Sequence, residues 1–413
     1  MKILIVSEKL PSRIGGGTAR QFNLIRELAN QHDVSIAAFA YPIDLSLVAD
    51  LKPYVKDIEV VELPLPAFEQ RSRAYYLFHS WMHTLFERQP RRGMFPRAAD
   101  MRQKIRDLLN AHSFDIVQVH QAYMARYVPP LRTATLLDMH DILSDHERQL
   151  YQLRTKPTHR VQLWLEWQKM LCLERAVVRR FDVCTLVSDI DQARFNKLYP
   201  ENRNWVVPNG VDTHFFYPQP DLEQPFSLIF MGSMNYPPNA DAVRWFYSEI
   251  FPLIRSRLPN TQLQVVGWDP PEDILALNSD SQVNVTGFVD DVRSYLARST
   301  VVVVPIRNGS GTRLKILDSW AMAKAIVSTS LGAEGLKAVH QHNLLLADSA
   351  EAFAEAVIGL MFHSDQRQRL GLAGRQLVEQ EYSWKQITRQ LEYAYSVACK
   401  TSRHRYEPHR SLS

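Results

Sequence analysis

The fold is decided by residues 299–315, which read Ser-Thr-Val-Val-Val-Val-Pro-Ile-Arg-Asn-Gly-Ser-Gly-Thr-Arg-Leu-Lys. The valines are β-branched and uncharged, and Pro305 follows them directly, so they predict a strand that is buried on both faces. A loop with two glycines comes next, and the spacing of Leu314 and Leu317 predicts a helix that begins near Thr312. A buried strand, a glycine-rich turn and a helix in this order indicate a parallel α/β sheet.

The turn of residues 308–312 predicts a binding site for phosphate. Free backbone N–H groups and the helix dipole favour an anion at the start of a helix. Arg313 and Lys315 add positive charge, and Asp318, about two helical turns beyond Ser310, can accept hydrogen bonds from hydroxyl groups. Taken alone, these residues also fit an ordinary strand-to-helix turn that binds nothing.

The longer segment resembles the donor site of the family-four retaining glycosyltransferases. One branch of that family has the signature G-T-R-x-K-x-x-E-A-x-A followed by a strand and G-A-E-G, and residues 311–321 and 332–335 are similar to these motifs. The wider family has two glutamates separated by seven residues, and Ser310 and Asp318 stand at those positions. The resemblance implies that Asp318 contacts the ribose of a nucleotide-sugar donor.

Length and composition indicate a two-domain globular protein. A chain of 413 residues, 46% apolar and 22% charged, exceeds what one hydrophobic core usually supports. The three cysteines have neither metal-ligand spacing nor disulfide density, which fits a reducing cytoplasm. No apolar run approaches the roughly 18 to 20 residues of a membrane-spanning helix. We therefore expect a cytoplasmic protein that at most lies on the inner face of a membrane.

A second strand–glycine–helix unit opens the chain. Residues 2–7 predict a buried strand, and three glycines precede a helix of about residues 19–30. The spacing of the dinucleotide-binding fingerprint is absent, so an ordinary turn is again an alternative. Family-four transferases carry a comparable loop, and the resemblance implies that Gly16 and Gly17 face the donor phosphates and the acceptor.

Two later predicted strands end near His120 and His140. Open α/β sheets bind their ligands at the carboxyl ends of the strands, although a histidine there is often only structural. His140 stands at the family position of a histidine near the transferred sugar, so we predict that it is catalytic. Asp138 and Asp141 flank it and can orient its ring or raise its pKa.

Residues 68–109 interleave arginine and lysine with aromatic and apolar side chains. The first 205 residues hold 29 Lys and Arg against 23 Asp and Glu, whereas the remainder holds 19 against 21. Such helices can lie on an anionic membrane surface, and the alternative is packing of the aromatic side chains on the core. No nucleic-acid-binding module is recognisable, so nucleic acid is not an expected partner.

Residues 205–212 contain the Pro-Asn-Gly-Val-Asp turn that ends the first domain in the family, and a proline-rich segment follows. We predict these divisions: an acceptor-side domain at 1–207, a linker at 208–225, a nucleotide-sugar-binding domain at 226–384, a helix crossing back to the first domain at 385–399, and a basic tail at 400–413.

The resemblance also implies the residues that bind the donor in the second domain. Turns after its first strands surround the nucleotide in the family, and most members carry Arg and Lys at the positions of Ser233 and Asn239. Here both positions are uncharged, so we predict that Arg313 and Lys315 replace them. The implied donor-binding residues are Gly16, Gly17, Gly232, Ser233, Asn239, Gly267, Phe288, Val289, Ser310, Gly311, Thr312, Arg313 and Lys315.

The family fold is called GT-B, an α/β architecture of two doubly wound Rossmann-like domains facing a cleft. We predict a retaining glycosyltransferase of the hexosyltransferase type, with His140 and Asp318 at its reaction centre. Its substrate would be a UDP- or GDP-sugar, its acceptor a glycan or lipid-linked glycan, and its process cell-envelope or exopolysaccharide synthesis. No metal motif appears, and no permanently bound cofactor is expected. The alternatives are another enzyme on this fold, such as an epimerase or a phosphorylase, and a non-catalytic sugar-nucleotide-binding or scaffold protein.

Overall fold

The computed structural model describes residues 1–13, 15–65, 73–153, 156–309 and 311–406. The chain divides into two compact units, Met1–Pro208 with Thr388–Ser413, and Asn209–Ile387. The expected linker therefore groups with the second unit from residue 209 onward, and most of the last helix groups with the first unit.

The first unit is built on a parallel sheet of seven strands. These are β1 Lys2–Ser7, β2 Asp33–Ala40, β3 Asp57–Glu62, β4 Ile116–His120, β5 Ala134–Asp138, β6 Val183–Leu186 and β7 Asn204–Val206. Their order is β3-β2-β1-β4-β5-β6-β7, and Ile3 of β1 pairs with Val34 on one side and Ile116 on the other. Strands β4 and β5 are buried along their whole length, including the polar side chains of Gln118 and His120, as expected for parallel strands covered on both faces.

Seven α-helices accompany this sheet before the second unit begins, in the part of the chain that is described. They are α1 Gly16–Leu28, α2 Leu47–Leu51, α3 Arg73–Phe86, α4 Ala98–Ala111, α5 Leu143–Leu153, α6 Pro157–Val178 and α7 Asp189–Leu198.

The second unit has a parallel sheet of six strands. They are β8 Ser227–Met231, β9 Gln262–Val266, β10 Val283–Gly287, β11 Val301–Val304, β12 Ile326–Ser328 and β13 Leu345–Leu346, in the order β10-β9-β8-β11-β12-β13. Its helices, with the last helix of the chain, are α8 Pro237–Trp245, α9 Phe251–Arg257, α10 Glu272–Leu275, α11 Arg293–Arg298, α12 Leu314–Ala321, α13 Ala350–Phe362, α14 Ser364–Leu377 and α15 Trp384–Tyr406. The π-helical turn Phe246–Ile250 joins α8 to α9.

The valine run is strand β11, and all four side chains are fully buried, as predicted. Helix α12 begins at Leu314, so the prediction of a start near Thr312 was wrong by two residues. Gly309 and Gly311 have φ angles of 95° and 88°, which are not helical and keep the turn open up to Arg313. Helix α15 continues to Tyr406, so the expected tail from residue 400 is helical at its start.

Both sheets reverse their strand order at one point, between β1 and β4 and between β8 and β11. This doubly wound topology confirms the predicted α/β fold, and it marks where each sheet can bind a ligand, next to the carboxyl ends of those strands. None of the described helices is long and apolar enough to cross a membrane.

Residues 213–223 are held against the second unit by basic side chains of that unit. Arg375 donates hydrogen bonds to the carbonyl oxygens of Thr213 and Phe216, at 3.0 and 2.8 Å. Glu223 pairs with Arg367 at 2.9 Å and with the buried Lys324 at 3.2 Å. These contacts explain why the segment groups with the second unit although it is rich in proline.

Candidate active site

The glycine loop of the first unit lies against His140. Helix α1 begins at Gly16, and Gly15 precedes it with a φ of 96°, so both Gly16 and Gly17 lie in its first turn. A Cβ atom at Gly17 would lie 3.3 Å from Nε2 of His140, whereas one at Gly16 would meet nothing within 4 Å. The structure therefore brings two of the predicted site residues, Gly17 and His140, into direct proximity.

The ring of His140 is held by Gln121. The side-chain amide of Gln121 lies 2.8 Å from His140 Nε2 and forms a hydrogen bond with it, which fixes the orientation of the ring. Gln121 has a φ of 69°, which is rare outside glycine, and its backbone N–H donates to the carbonyl oxygen of Asp138 at 3.0 Å. Strained backbone of this kind is concentrated at functional sites. Sequence reasoning missed Gln121, and only its position directly after a buried strand hinted at it.

Burial lowers the pKa of His140 below its ordinary value. Asp141 and Asp138 raise the pKa, as expected, but burial is the larger effect and the net shift is downward. His140 is accordingly a neutral imidazole at neutral pH. Its Nδ1 atom is buried without a hydrogen-bond partner among the described residues.

Asp138 is the centre of a buried network behind His140. Its carboxylate lies 3.1 Å from His120 Nδ1 and 3.5 Å from Arg20 Nε, and it accepts a hydrogen bond from Thr185 at 2.9 Å. Burial by itself raises the pKa of Asp138, but Arg20 and His120 together hold it well below its usual range. Asp138 therefore stays ionised, and His120 is a structural member of this network.

The side chains of His120, Asp138 and His140 bring potential metal-ligand atoms within 4.8 Å of one another. Two of these residues already share hydrogen bonds with amide side chains, His120 with Gln118 at 3.0 Å and His140 with Gln121. The guanidinium of Arg20 beside Asp138 would also repel a cation. The arrangement fits a hydrogen-bonded network better than a metal centre.

In the second unit, Lys315 lies against the turn that follows β8. Its ammonium donates to Asn239 Oδ1 at 2.8 Å and stands 4.1 Å from the centroid of the Phe230 ring. A Cβ atom at Gly232 would lie 2.8 Å from this ammonium and 2.7 Å from the Asn239 amide nitrogen, so only glycine leaves room for both. Asn239 in turn donates to the carbonyl oxygen of Ser233 at 2.7 Å.

The predicted residues Gly232, Ser233, Asn239 and Lys315 thus meet at one place. Burial, with a smaller contribution from Arg313, lowers the pKa of Lys315 well below its ordinary value. No carboxylate of the described residues pairs with Lys315. A partly buried cation without an acidic partner is stabilised when an anion binds to it.

Arg313 stabilises the glycine-rich turn through hydrogen bonds. It is 8% exposed, and it donates to the carbonyl oxygen of Gly309 at 2.9 Å and also hydrogen-bonds to Tyr236. Burial lowers the pKa of this guanidinium. Gly311 supplies its positive φ to the same turn, and the hydroxyl of Thr312 is buried without a partner among the described residues. Ser310 lies outside the described residues.

Asp318 faces no hydrogen-bond donor or cation among the described residues. Burial alone raises its pKa to about 7, so both the protonated and the ionised forms are accessible near neutral pH. A group in this state can either donate or accept a hydrogen bond, and a ligand that donates hydroxyl hydrogens would favour the carboxylate.

The turns after β9 and β10 complete this edge of the second sheet. Gly267 donates its N–H to the Gly287 carbonyl oxygen at 3.2 Å, and a Cβ atom there would collide with the carbonyl of Gly232. Phe288 is 56% exposed, whereas the neighbouring Val289 packs against the core. Trp268, which sequence reasoning did not single out, is also 56% exposed and follows Gly267 directly.

Two family models match this chain. Residues 14–215 match the family described as Glycosyltransferase Family 4, and residues 225–363 match Glycosyl transferases group 1.

The chain is 26% identical over 252 residues to a GDP-mannose-dependent alpha-(1-6)-phosphatidylinositol monomannoside mannosyltransferase of Mycobacterium tuberculosis, covering 54% of this chain and 64% of the relative. It is 21% identical over 181 residues to an uncharacterized 44.6 kDa protein in the cps region of Klebsiella pneumoniae, covering 42% of this chain and 46% of the relative. The match thus spans between about half and two thirds of the length of these relatives.

Solved structures share the fold over nearly the whole chain. Sucrose-phosphate synthase from Thermosynechococcus elongatus has a TM-score of 0.69 at 16% identity and covers 96% of this chain and 98% of its own. The Anabaena protein Alr3699/HepE, in complex with UDP and glucose, has a TM-score of 0.65 at 14% identity and covers 95% and 99%.

Proposed function

Because this chain belongs to the family-four, group 1 glycosyltransferases, we propose that it transfers a hexose from a nucleotide-diphosphate sugar to a glycan or lipid-linked acceptor, with retention of anomeric configuration. The donor is a UDP- or GDP-sugar, bound as a substrate. The relatives support both bases: the Anabaena structure holds UDP, and the mycobacterial mannosyltransferase is named as GDP-mannose-dependent.

The partly buried ammonium of Lys315, which has no acidic partner among the described residues, is the observation that carries this proposal. It lies beside Asn239 and Gly232, in the turn on which most family members carry an arginine and a lysine. A diphosphate would supply the missing negative charge, and the ammonium would stabilise the diphosphate as it leaves the sugar. The backbone N–H groups at the start of helix α12 add to this stabilisation.

The proposed reaction breaks the bond between the anomeric carbon and the diphosphate oxygen and forms a bond to the acceptor hydroxyl on the same face. The acceptor proton passes to the departing phosphate oxygen. Asp318, as a carboxylate, accepts hydrogen bonds from the donor ribose. His140 contacts a hydroxyl of the transferred sugar, with its ring held in place by Gln121.

We also propose that the reaction needs no metal, because Lys315 provides the positive charge that a divalent cation would otherwise bring to the diphosphate. Activity that is lost on dialysis against EDTA and restored by Mg²⁺ would contradict this part. For the acceptor, we propose a glycan of the cell envelope or an exopolysaccharide, assembled at the cytoplasmic face of a membrane that the basic aromatic segment 68–109 contacts.

Lys315→Met tests the proposal. We expect donor affinity to fall roughly 10- to 100-fold, because one charge-assisted hydrogen bond to phosphate is lost. Affinity is measured by thermal shift and calorimetry with a panel of UDP-, GDP- and ADP-sugars, and turnover by release of the free nucleotide. The control is Lys337→Met, which removes a 60% exposed lysine that pairs with Glu381. Equal donor affinity in the two variants would contradict the assignment of Lys315.

The uncharged side chains of Ser233 and Asn239 favour one second candidate, a non-catalytic sugar-nucleotide-binding or scaffold protein on the same fold. Donor binding without turnover, for every donor and acceptor in the panel, would favour that function over transfer.

A further inference from the structure

The last helix, α15, reaches the network around Asp138 through one buried tyrosine. Tyr395 is fully buried, and its hydroxyl donates a hydrogen bond to Oε1 of Gln118 on strand β4. The side-chain nitrogen of Gln118 lies 3.0 Å from Nε2 of His120, and Nδ1 of the same ring lies 3.1 Å from the carboxylate of Asp138. The four side chains form one continuous chain of polar contacts inside the first unit, and its first link joins residues 277 positions apart.

The hydroxyl of Tyr395 determines which atom of Gln118 faces His120. Burial, with the nearby charges of Asp138 and Glu392, raises the pKa of the Tyr395 phenol well above its ordinary value, so the hydroxyl keeps its proton. A glutamine amide has one acceptor oxygen and one donor nitrogen, and an oxygen that accepts from Tyr395 leaves the nitrogen for His120. Without that hydroxyl, the amide can turn over and present its oxygen to the ring.

The charged end of this chain of contacts is held by Arg20. Its Nε lies 3.5 Å from the Asp138 carboxylate, and both side chains are almost completely buried. The same guanidinium donates to the carbonyl oxygens of Val207 and Pro208 at 2.8 and 2.6 Å, at the point where the chain leaves the first unit. Because Arg20 fixes the position of Asp138, the carboxylate cannot move to follow a reoriented His120. Buried polar groups lose free energy when a partner is removed, so one lost hydrogen bond affects its neighbours.

The ring of His120 lies beside the ring of His140, with 6.5 Å between their centroids. The charges of Asp138, His120 and Arg20 all act on the pKa of His140. A proton that moves from one nitrogen of His120 to the other therefore changes the electrostatic surroundings of His140. Such a change needs no contact between the network and a bound donor, so it should affect the chemical step more than donor binding.

We propose that Tyr395 is a positioning residue for the reaction at His140, and that it acts through Gln118 by keeping His120 in the tautomer with its proton on Nδ1, beside Asp138. The last helix of the chain then takes part in organising the reaction centre as well as in packing. The effect on turnover rests on the proposed function, whereas the tautomer of His120 is a property of the free protein and can be measured without any substrate.

The test is Tyr395→Phe in the full chain, which removes the hydroxyl and keeps the buried ring. We expect the ring nitrogens of His120, assigned by NMR, to show the Nδ1–H tautomer in the wild type and to lose this pattern in the variant. In donor hydrolysis, kcat should fall about tenfold and KM for the donor should change by less than about twofold. The control is Tyr393→Phe on the same helix, because this ring is 52% exposed and its hydroxyl makes no hydrogen bond among the described residues.

A second variant separates a positioning role from a merely structural one. Gln118→Met removes the amide that joins the two rings, so Tyr395→Phe should have no further effect on kcat when it is added to Gln118→Met. Two independent structural defects would instead lower kcat by the product of their separate factors.

The proposal is overturned if the wild type holds His120 as the Nε2–H tautomer, or if the ring nitrogens of His120 are the same in Tyr395→Phe. An unchanged kcat in Tyr395→Phe, or full multiplication of its effect with that of Gln118→Met, would also overturn it. Absence of turnover with every donor and acceptor would contradict the proposed function instead. In that case the nitrogen signals of the free protein would still decide whether Tyr395 controls His120.

Discussion

Replacement of Asp318 by asparagine should remove one pH dependence from both stability and donor binding. Burial raises the pKa of this carboxyl from 3.8 to about 7 in the folded protein. The folded state therefore holds the proton more tightly than the unfolded state does. The resulting stability is complete below pH 3.8 and is lost as the pH rises through about 7.

The magnitude follows from the two pKa values. At about 1.36 kcal/mol for each pH unit between them, the difference corresponds to about 4 kcal/mol. This is an upper limit, because the Asp318 side chain is partly exposed and solvent screens some of the charge. Unfolding by urea at several pH values measures the effect, and Asp318→Asn should be more stable than the wild type at pH 8 and similar to it at low pH.

Donor binding should respond in the opposite direction. Ribose hydroxyls bind the carboxylate form, so wild-type affinity should rise with pH through about 7 and binding should release protons in that range. Calorimetry in buffers of different ionisation enthalpy counts these protons. Asp318→Asn should release fewer protons on donor binding. It should also bind the donor roughly 10- to 100-fold more weakly, since a charge-assisted hydrogen bond is lost. Lys315, whose pKa is also lowered by burial, is present in both proteins and serves as the common background.

The matched variant is Asp318→Glu, which restores the acid of the family pattern and should keep the pH dependence. The reasoning is refuted if Asp318→Asn keeps the proton release and the pH-dependent stability of the wild type. In that case another group causes the proton release and the pH-dependent stability, and the carboxyl of Asp318 does not contact the donor.

Two glycine pairs provide further predictions. Gly17→Ala should displace His140 and lower turnover, because its Cβ would lie 3.3 Å from Nε2. The same variant should shift the imidazole nitrogen signals in NMR spectra of the free protein. Gly16→Ala, whose Cβ would have no neighbour within 4 Å, should leave those signals unchanged. Gly267→Ala should cost about 2 kcal/mol or more of unfolding free energy through its collision with backbone, whereas Gly359→Ala, in open space on a helix, should add up to about 1 kcal/mol. Unchanged histidine signals in Gly17→Ala would contradict the predicted contact with His140. Equal urea midpoints for Gly267→Ala and Gly359→Ala would contradict the predicted collision at Gly267.

Local patterns predicted the elements that depend on local physics. The valine run became β11 because a run without polar alternation can only be buried on both faces. The turn after it was recognised because glycine and short polar residues leave backbone N–H groups free. The start of α12 was misplaced because the positive φ angles of Gly309 and Gly311 are a property of the folded turn.

Contacts between distant segments could not be predicted in the same way. The network of Arg20, Asp138 and His120 joins α1 to the ends of two strands, and no sequence spacing reveals it. The position of Lys315 depends on a turn more than seventy residues earlier, which it reaches through Asn239. Helix α6 buries Met170 and Val177 but exposes Trp164, so periodicity identified the helix but not which of its apolar side chains would be buried.

The hydrogen bonds of Arg375 to residues 213 and 216 have a practical consequence for dividing the gene. A fragment that starts at residue 226, after the last proline of the segment, would remove the partners that Arg375, Arg367 and Lys324 have in residues 213–223. A fragment of residues 209–387 retains all of them. The cloning boundary for separate expression therefore lies before the proline-rich segment, which serves as the outer layer of the second unit.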